Sequence, residues 1–253
     1  MTQQGFTLPT EIVKLPSKGL IYTKDNPLSS GEIEMKYMTA KEEDILTNQN
    51  YISQGIVFDK LFQSMIVSKI SYNDLIAGDK NAILLAARIL GYGKDYEVKV
   101  KHPQSGVEEQ ITVDLSQLKE KEVDYSIFNN ANEVSYVLPN SGNEITFKLL
   151  THADDKIIEA ELKALNKIKQ SADVTIRLKQ QILSVNGSVD KKVIRDFIDN
   201  GMLASDSMAL RKYIKSITPD IDMTFTFVGS DGYTEEGVSL PIGISFFYPQ
   251  LDI

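Results

Sequence analysis

The side chains able to do chemistry are few, and most of their spacings serve it poorly. Gly91-Tyr92-Gly93-Lys94-Asp95-Tyr96 begins like a phosphate-binding loop, but Tyr96 stands where a dinucleotide fingerprint needs its third glycine. Asp95 follows Gly93-Lys94, so the Ser or Thr of a Walker loop is also missing. A helix end followed by a turn into a strand accounts for the same residues. Asp196, Asn200 and Gly201 repeat part of a calcium loop, yet Ile198 and Ser207 fill positions that need oxygen-rich ligands. His102 and His152 are the two candidate general bases. One precedes a hairpin turn, the other a helix, and no Gly-x-Ser-x-Gly elbow accompanies them. Both are expected as surface or capping residues. Carboxylates cluster at Glu42-Glu43-Asp44, Glu108-Glu109, Asp154-Asp155 and Glu235-Glu236. Most sit at helix starts, where negative charge suits the dipole, or in loops. Such pairs keep one enzymatic alternative open, a hydrolase working with two acids. Lys163, Lys167, Lys169, Arg177 and Lys179 alternate with Glu159, Glu161 and Asp173, which describes a solvated helix face rather than a phosphate track.

Composition narrows the field further. The 253 residues include 27 Lys and Arg against 35 Asp and Glu, a net charge of −8. That balance argues against general coating of DNA or RNA, so no nucleic-acid partner is expected. With no cysteine, disulfides, thiolate nucleophiles, cysteine-bound zinc and iron–sulfur clusters are all excluded. No cofactor and no metal are expected. Residues 1–10 lack the basic and apolar regions of a signal peptide, and the most apolar runs fall far short of the ~20 residues that span a bilayer. The expectation is a protein that folds in a cytoplasm, without a membrane partner.

The elements that must position these residues alternate in type. Ile33, Met35 and Tyr37 alternate with charged residues and predict a strand. Thr39 and Glu42 form a capping box that opens a short helix to about Asn48. Leu61, Phe62, Met65 and Ile66 suggest a buried helix face. Asp79 reads as the N-cap of a helix over 80–90, with Gly91 just past its end. Hairpins follow around Pro103–Gly106 and Asn140–Asn143. Residues 153–185 carry a helical stripe, with a weak stretch at 171–175 that would kink or split it. Asp190 caps a further helix, Ser205 or Asp206 starts another, and a hairpin over 223–247 closes the order. This is an α+β chain whose β-hairpin units flank helical segments. Its expected division is 1–116, a connector at 117–132, and 133–253, with a single intertwined domain as the alternative. Taken alone, these patterns favour a binding or assembly role over an enzyme.

The order of several short signatures resembles the baseplate hub assembly proteins of T-even-type contractile-tailed phages. They are Leu15-Pro16-Ser17-x-Gly19-x-x-Tyr22, Gly31-Glu32-Ile33, Met38-Thr39-x-x-Glu42-Glu43, Gly78-Asp79, Arg88-Ile89-Leu90-Gly91-Tyr92-Gly93 with Tyr96, and Asp114-Leu115-Ser116. Leu138-Pro139, Phe147-x-Leu149-Leu150-Thr151, Leu210-Arg211-x-Tyr213-Ile214, Pro219-x-Ile221-Asp222 and Phe246-Phe247-Tyr248-Pro249 complete the set. The resemblance implies a non-enzymatic part or assembly factor of the baseplate hub. Its partners would be other hub and tail proteins in a hetero-oligomer, met in the host cytoplasm during assembly and, for a resident part, in the virion tail baseplate. Where the family's two hairpin regions carry paired cysteines in zinc-ribbon fashion, this chain has none, so the C-terminal hairpin is expected as a metal-free ribbon. Phe246, Phe247, Tyr248 and Leu251 are the first candidates for a partner interface. The second is the segment around Leu20 and Tyr22, suited to strand addition. Completion of the chain's own core is the alternative for the aromatic end. A tail-tip hydrolase and an unrelated adaptor or scaffold are the rival functions.

Overall fold

Alternating sequence becomes paired strand wherever one face can be buried. The computed structural model describes residues 8–128, 131–167 and 172–247. In it β1 (Thr10–Lys14) and β2 (Glu32–Lys36) lie antiparallel, with Val13 opposite Ile33 and Glu11 opposite Met35. Ile33 and Met35 are buried, and Glu32, Glu34 and Lys36 between them face outward. Three helices follow: α1 (Ala40–Leu46), α2 (Gln49–Ser53) and α3 (Val57–Met65). The predicted capping box opens α1, where the Thr39 amide donates to Glu42 Oε2 at 3.0 Å.

The buried helix α4 (Ala77–Tyr92) begins earlier than its sequence suggests. Asp79 is not its N-cap: that position is Ile76, and the Asp79 side chain turns into the core instead. Gly93, not Gly91, ends α4, at φ 84°, a conformation that favours glycine. Arg88, fully buried, reaches back to donate to the carbonyls of Gly93 (2.7 Å) and Asp95 (3.2 Å), so it ties the end of α4 to the next strand.

The predicted first hairpin is β3 (Asp95–Lys101) with β4 (Glu108–Asp114). The second, β5 (Val134–Val137) with β6 (Glu144–Phe147), gains a third strand, β7 (Ile182–Val185). This corrects the helical reading of 153–185: helix α5 (His152–Lys167) and helix α6 (Asp173–Gln181) occupy most of it, but Ile182 to Val185 extends along β6. Residues 168–171 lie outside the described residues; of the weak stretch at 171–175, Ala172 is the N-cap of α6 and Asp173, Val174 and Thr175 form its first turn. Asp190 caps α7 (Lys191–Asp196) as predicted, accepting from the Lys192 amide at 2.8 Å. A π-helical turn at Phe197–Gly201 leads to α8 (Ala204–Ile217). The chain then forms the last hairpin, β8 (Thr224–Val228) with β9 (Thr234–Ser239).

The result is an α+β fold of small antiparallel sheets among helices. One hydrophobic cluster draws on Leu15, Ile83, Leu115, Phe147, Leu210 and Phe246, from both sides of the expected connector. Within 117–132, Glu120 forms an isolated bridge with Ile221, and the Tyr125 hydroxyl donates to the Pro16 carbonyl at 2.7 Å. No helix among the described residues is long and apolar enough to cross a membrane.

Candidate functional site

Three of the polar clusters built into the frame are candidates for a site, and the first gathers signature segments that lie far apart in sequence. Asp79 is fully buried on α4. Its Oδ1 accepts from the Ser17 amide (3.0 Å), and its Oδ2 from the Ser17 hydroxyl (2.8 Å) and the Tyr22 hydroxyl (2.6 Å). Beside it, a Cβ on Gly78 would lie 1.9 Å from the Pro219 carbonyl oxygen, so only glycine lets these two backbones touch. Asn81 donates to Asp220 at 2.8 Å. The segments Leu15–Tyr22, Gly78-Asp79 and Pro219–Asp222 therefore meet at one place. Burial pushes the Asp79 carboxyl above its ordinary value, against the three hydrogen bonds that favour its charge. Burial beside Asp79 also raises the Tyr22 hydroxyl. The cluster clasps the 15–22 loop onto α4.

The second cluster joins two hairpins. His102 is buried, not on the surface as its position suggested, because the β8–β9 hairpin covers it. Its Nδ1 accepts from the amides of Gln104 and Ser105, both at 3.2 Å, which leaves the hydrogen of the neutral ring on Nε2. Nε2 faces Asp231 Oδ1 at 3.3 Å on the β8–β9 turn. Glu109 accepts from the Ser230 amide at 2.8 Å, and the Tyr96 hydroxyl donates to the Pro241 carbonyl at 3.1 Å. One histidine and one carboxylate do not make a tetrahedral zinc site, and among the described residues no group of three or more potential ligands is placed to hold a metal. Side-chain and backbone hydrogen bonds link the two hairpins.

The third cluster is the one that looks most like an active site. His152 starts α5 but is buried, and its ring accepts from no backbone amide among the described residues, so for this histidine the surface or capping reading is corrected. Its Nδ1 lies 3.1 Å from Lys80 Nζ, and its Nε2 lies 3.3 Å from Asp59 Oδ2 without the alignment of a hydrogen bond. The Tyr72 hydroxyl donates to Asp59 at 2.8 Å, and the Tyr72 ring meets the imidazole edge-on. Burial and the Lys80 ammonium hold the His152 ring below its ordinary value. His152, Lys80 and Asp59 border a cavity of about 440 Å³ that Asp155 and Glu159 also line. Burial raises the Asp155 carboxyl.

The residues chosen as interface candidates are placed unevenly. Phe246 and Phe247 are fully buried, Phe246 edge-on to Tyr96 at 4.9 Å and Phe247 beside Phe58 at 5.6 Å. Tyr22 is buried in the Asp79 clasp, and Leu20 is partly buried against the core. Tyr248 and Leu251 lie outside the described residues. Asp79 was missed as an acceptor because its partners are 57 and 62 residues away, a pairing that no local pattern announces. The clue present in sequence was a serine and a tyrosine in one signature and an aspartate in another.

Compared with known proteins, the chain matches a family model described as "T4 bacteriophage base plate protein" over residues 10–247. No curated protein and no solved structure matches it.

Proposed function

We propose, from the premise that this chain belongs to the T4 bacteriophage base plate protein family, that it serves the hub of a contractile tail baseplate without catalysis. It acts as a structural component or an assembly factor, through contacts with other hub and tail proteins in a hetero-oligomer. It meets those partners in the host cytoplasm and, as a resident part, stays in the virion tail. The observation that carries this reading is the family match over nearly the whole described chain. The Asp79 clasp and the hairpin junction support it, since both spend their polar side chains on joining segments of the chain. Co-expression with the other baseplate proteins, followed by size-exclusion chromatography, tests the reading: a stable joint complex is expected. Mass spectrometry of purified virions separates a resident part, present in the particle, from a factor that leaves.

One observation favours a second reading, a tail-tip hydrolase. Asp59, Asp155 and Glu159 share a cavity with His152, and the raised Asp155 carboxyl has the property of a general acid. Turnover of cell-wall polymer that Asp155→Asn abolishes would establish it. Absence of turnover by the full chain leaves the assembly reading alone.

A further inference from the structure

The two edges of the first sheet are treated differently. The Tyr37 amide donates to the Pro9 carbonyl and the Leu15 amide to the Gly31 carbonyl, so in this register Pro9, Glu11, Val13 and Leu15 turn their peptide groups toward β2. Thr10, Ile12 and Lys14 turn theirs away. On the β2 side the outward groups of Glu34 are filled, by the Val67 amide and the Ser68 hydroxyl. On the β1 side no strand among the described residues pairs, and Ile12 is 57% exposed. An open edge of this kind is a template for another strand.

This edge borders an apolar groove. Between β1 and α4 the surface sinks into a hollow of about 460 Å³, floored by Leu85, Ala86, Ile89 and Leu90 and bounded by Leu118. Leu118 also lines a second hollow of about 740 Å³, which reaches Phe225 on β8. Leu118 is the residue common to both linings. Along the second hollow, β8 likewise has no strand on its outer side among the described residues, with the peptide groups of Thr224 pointing away from β9. The walls are acidic on balance: Glu11, Asp114, Asp222 and Glu236 stand against Lys14 and Lys119. Lys94 already compensates Asp114. The chain as a whole carries −8, so a second copy is a poor electrostatic match and a basic segment a good one.

We propose that this channel receives an extended segment of another baseplate protein, which adds as a strand to β1 and carries apolar side chains at alternate positions with basic residues beside them. The proposal rests on the assembly reading above. An added strand would satisfy the outward peptide groups of Thr10, Ile12 and Lys14, and every second side chain would enter the apolar floor.

The test uses the full chain co-expressed with the other baseplate proteins of its phage. Wild-type protein should co-elute with one of them, and hydrogen exchange at the amides of Thr10, Ile12 and Lys14 should slow in the complex. Ile12→Pro removes a donor that serves no partner among the described residues, and Ala86→Glu places a charge on the groove floor. Each should weaken the complex at least about tenfold, at an unchanged melting temperature. Overlapping 12-residue peptides from the co-eluting protein should bind only where Lys or Arg flanks alternating apolar residues. A complex that forms with unslowed β1 amides, or that binds both variants as tightly as wild type, overturns the channel and leaves the assembly reading standing. Self-association of the isolated chain through β1 also overturns it, because the occupant is then a second copy. No complex with any baseplate protein overturns both.

Discussion

The knot around Glu42 and the clasp around Asp79 each hide a carboxylate completely from water, and the two groups are shifted in opposite directions. Glu42 accepts from Lys36 Nζ (2.8 Å) and the Ser64 hydroxyl (2.6 Å) on one oxygen, and from the Thr39 amide and hydroxyl on the other. Burial alone would raise its pKa. The hydrogen bonds from Lys36, Ser64 and Thr39 outweigh it and hold the group at about 2. Asp79 has three neutral donors and no cation among its hydrogen-bond partners, and burial prevails. Neutral hydrogen bonds can fix the position of a buried carboxylate without making its charge welcome there; an adjacent cation does both.

The sharpest attack on this contrast is at the backbone contact beside the clasp. Gly78→Ala drives a methyl group into the Pro219 carbonyl. It should cost about 3 kcal/mol or more, because backbone rather than a flexible side chain must move. Urea denaturation would show it as a large fall in midpoint. Next in size is Glu42→Gln. Whichever way the amide is turned, its NH2 faces a group that can only donate, the Lys36 ammonium or the Thr39 amide. A loss of about 2–3 kcal/mol is expected in the same assay. Asp79→Asn should stay within about 1 kcal/mol of wild type. Its oxygen can keep the Ser17 amide while its NH2 donates to two hydroxyls free to turn. If the two amide variants cost the same, the contrast fails.

Acid gives the subtlest test, since the two groups carry opposite signs. Glu42 has a lowered pKa in the folded protein, so its contribution is complete above about 4.5 and is lost as the pH falls toward about 2. The advantage of wild type over Glu42→Gln should shrink over that interval. Asp79 has a raised pKa, so the fold prefers its protonated form. Wild type should gain on Asp79→Asn as the pH falls. Denaturation curves of the three proteins at neutral and acidic pH would show parallel or opposed slopes.

The signatures that carried the family resemblance turn out to describe the frame. Ser17, Tyr22 and Asp79 make the clasp, Arg88 and Gly93 end α4, Thr39 and Glu42 open α1, and Tyr213 stacks on Tyr136 at 4.4 Å. The aromatic pair Phe246 and Phe247, read as a candidate interface, lies in the core of this chain. The open β1 edge, by contrast, rests on the ordinary residues Thr10, Ile12 and Lys14, which no motif marked.

What the amino-acid order settled unaided was local: the capping box at Thr39 and Glu42, the Asp190 cap and the alternation of the hairpin strands all act within a few residues. Composition likewise removed cysteine chemistry before any coordinates were needed. Tertiary packing alone decided the rest. It drew Asp79 away from a capping role toward Ser17 and Tyr22, covered His102 with a hairpin more than a hundred residues away, and turned Ile182 to Val185 into the partner of β6. Each of those outcomes depends on which groups meet across long stretches of chain. Burial and hydrogen bonding reward such meetings only once the fold has brought the groups together.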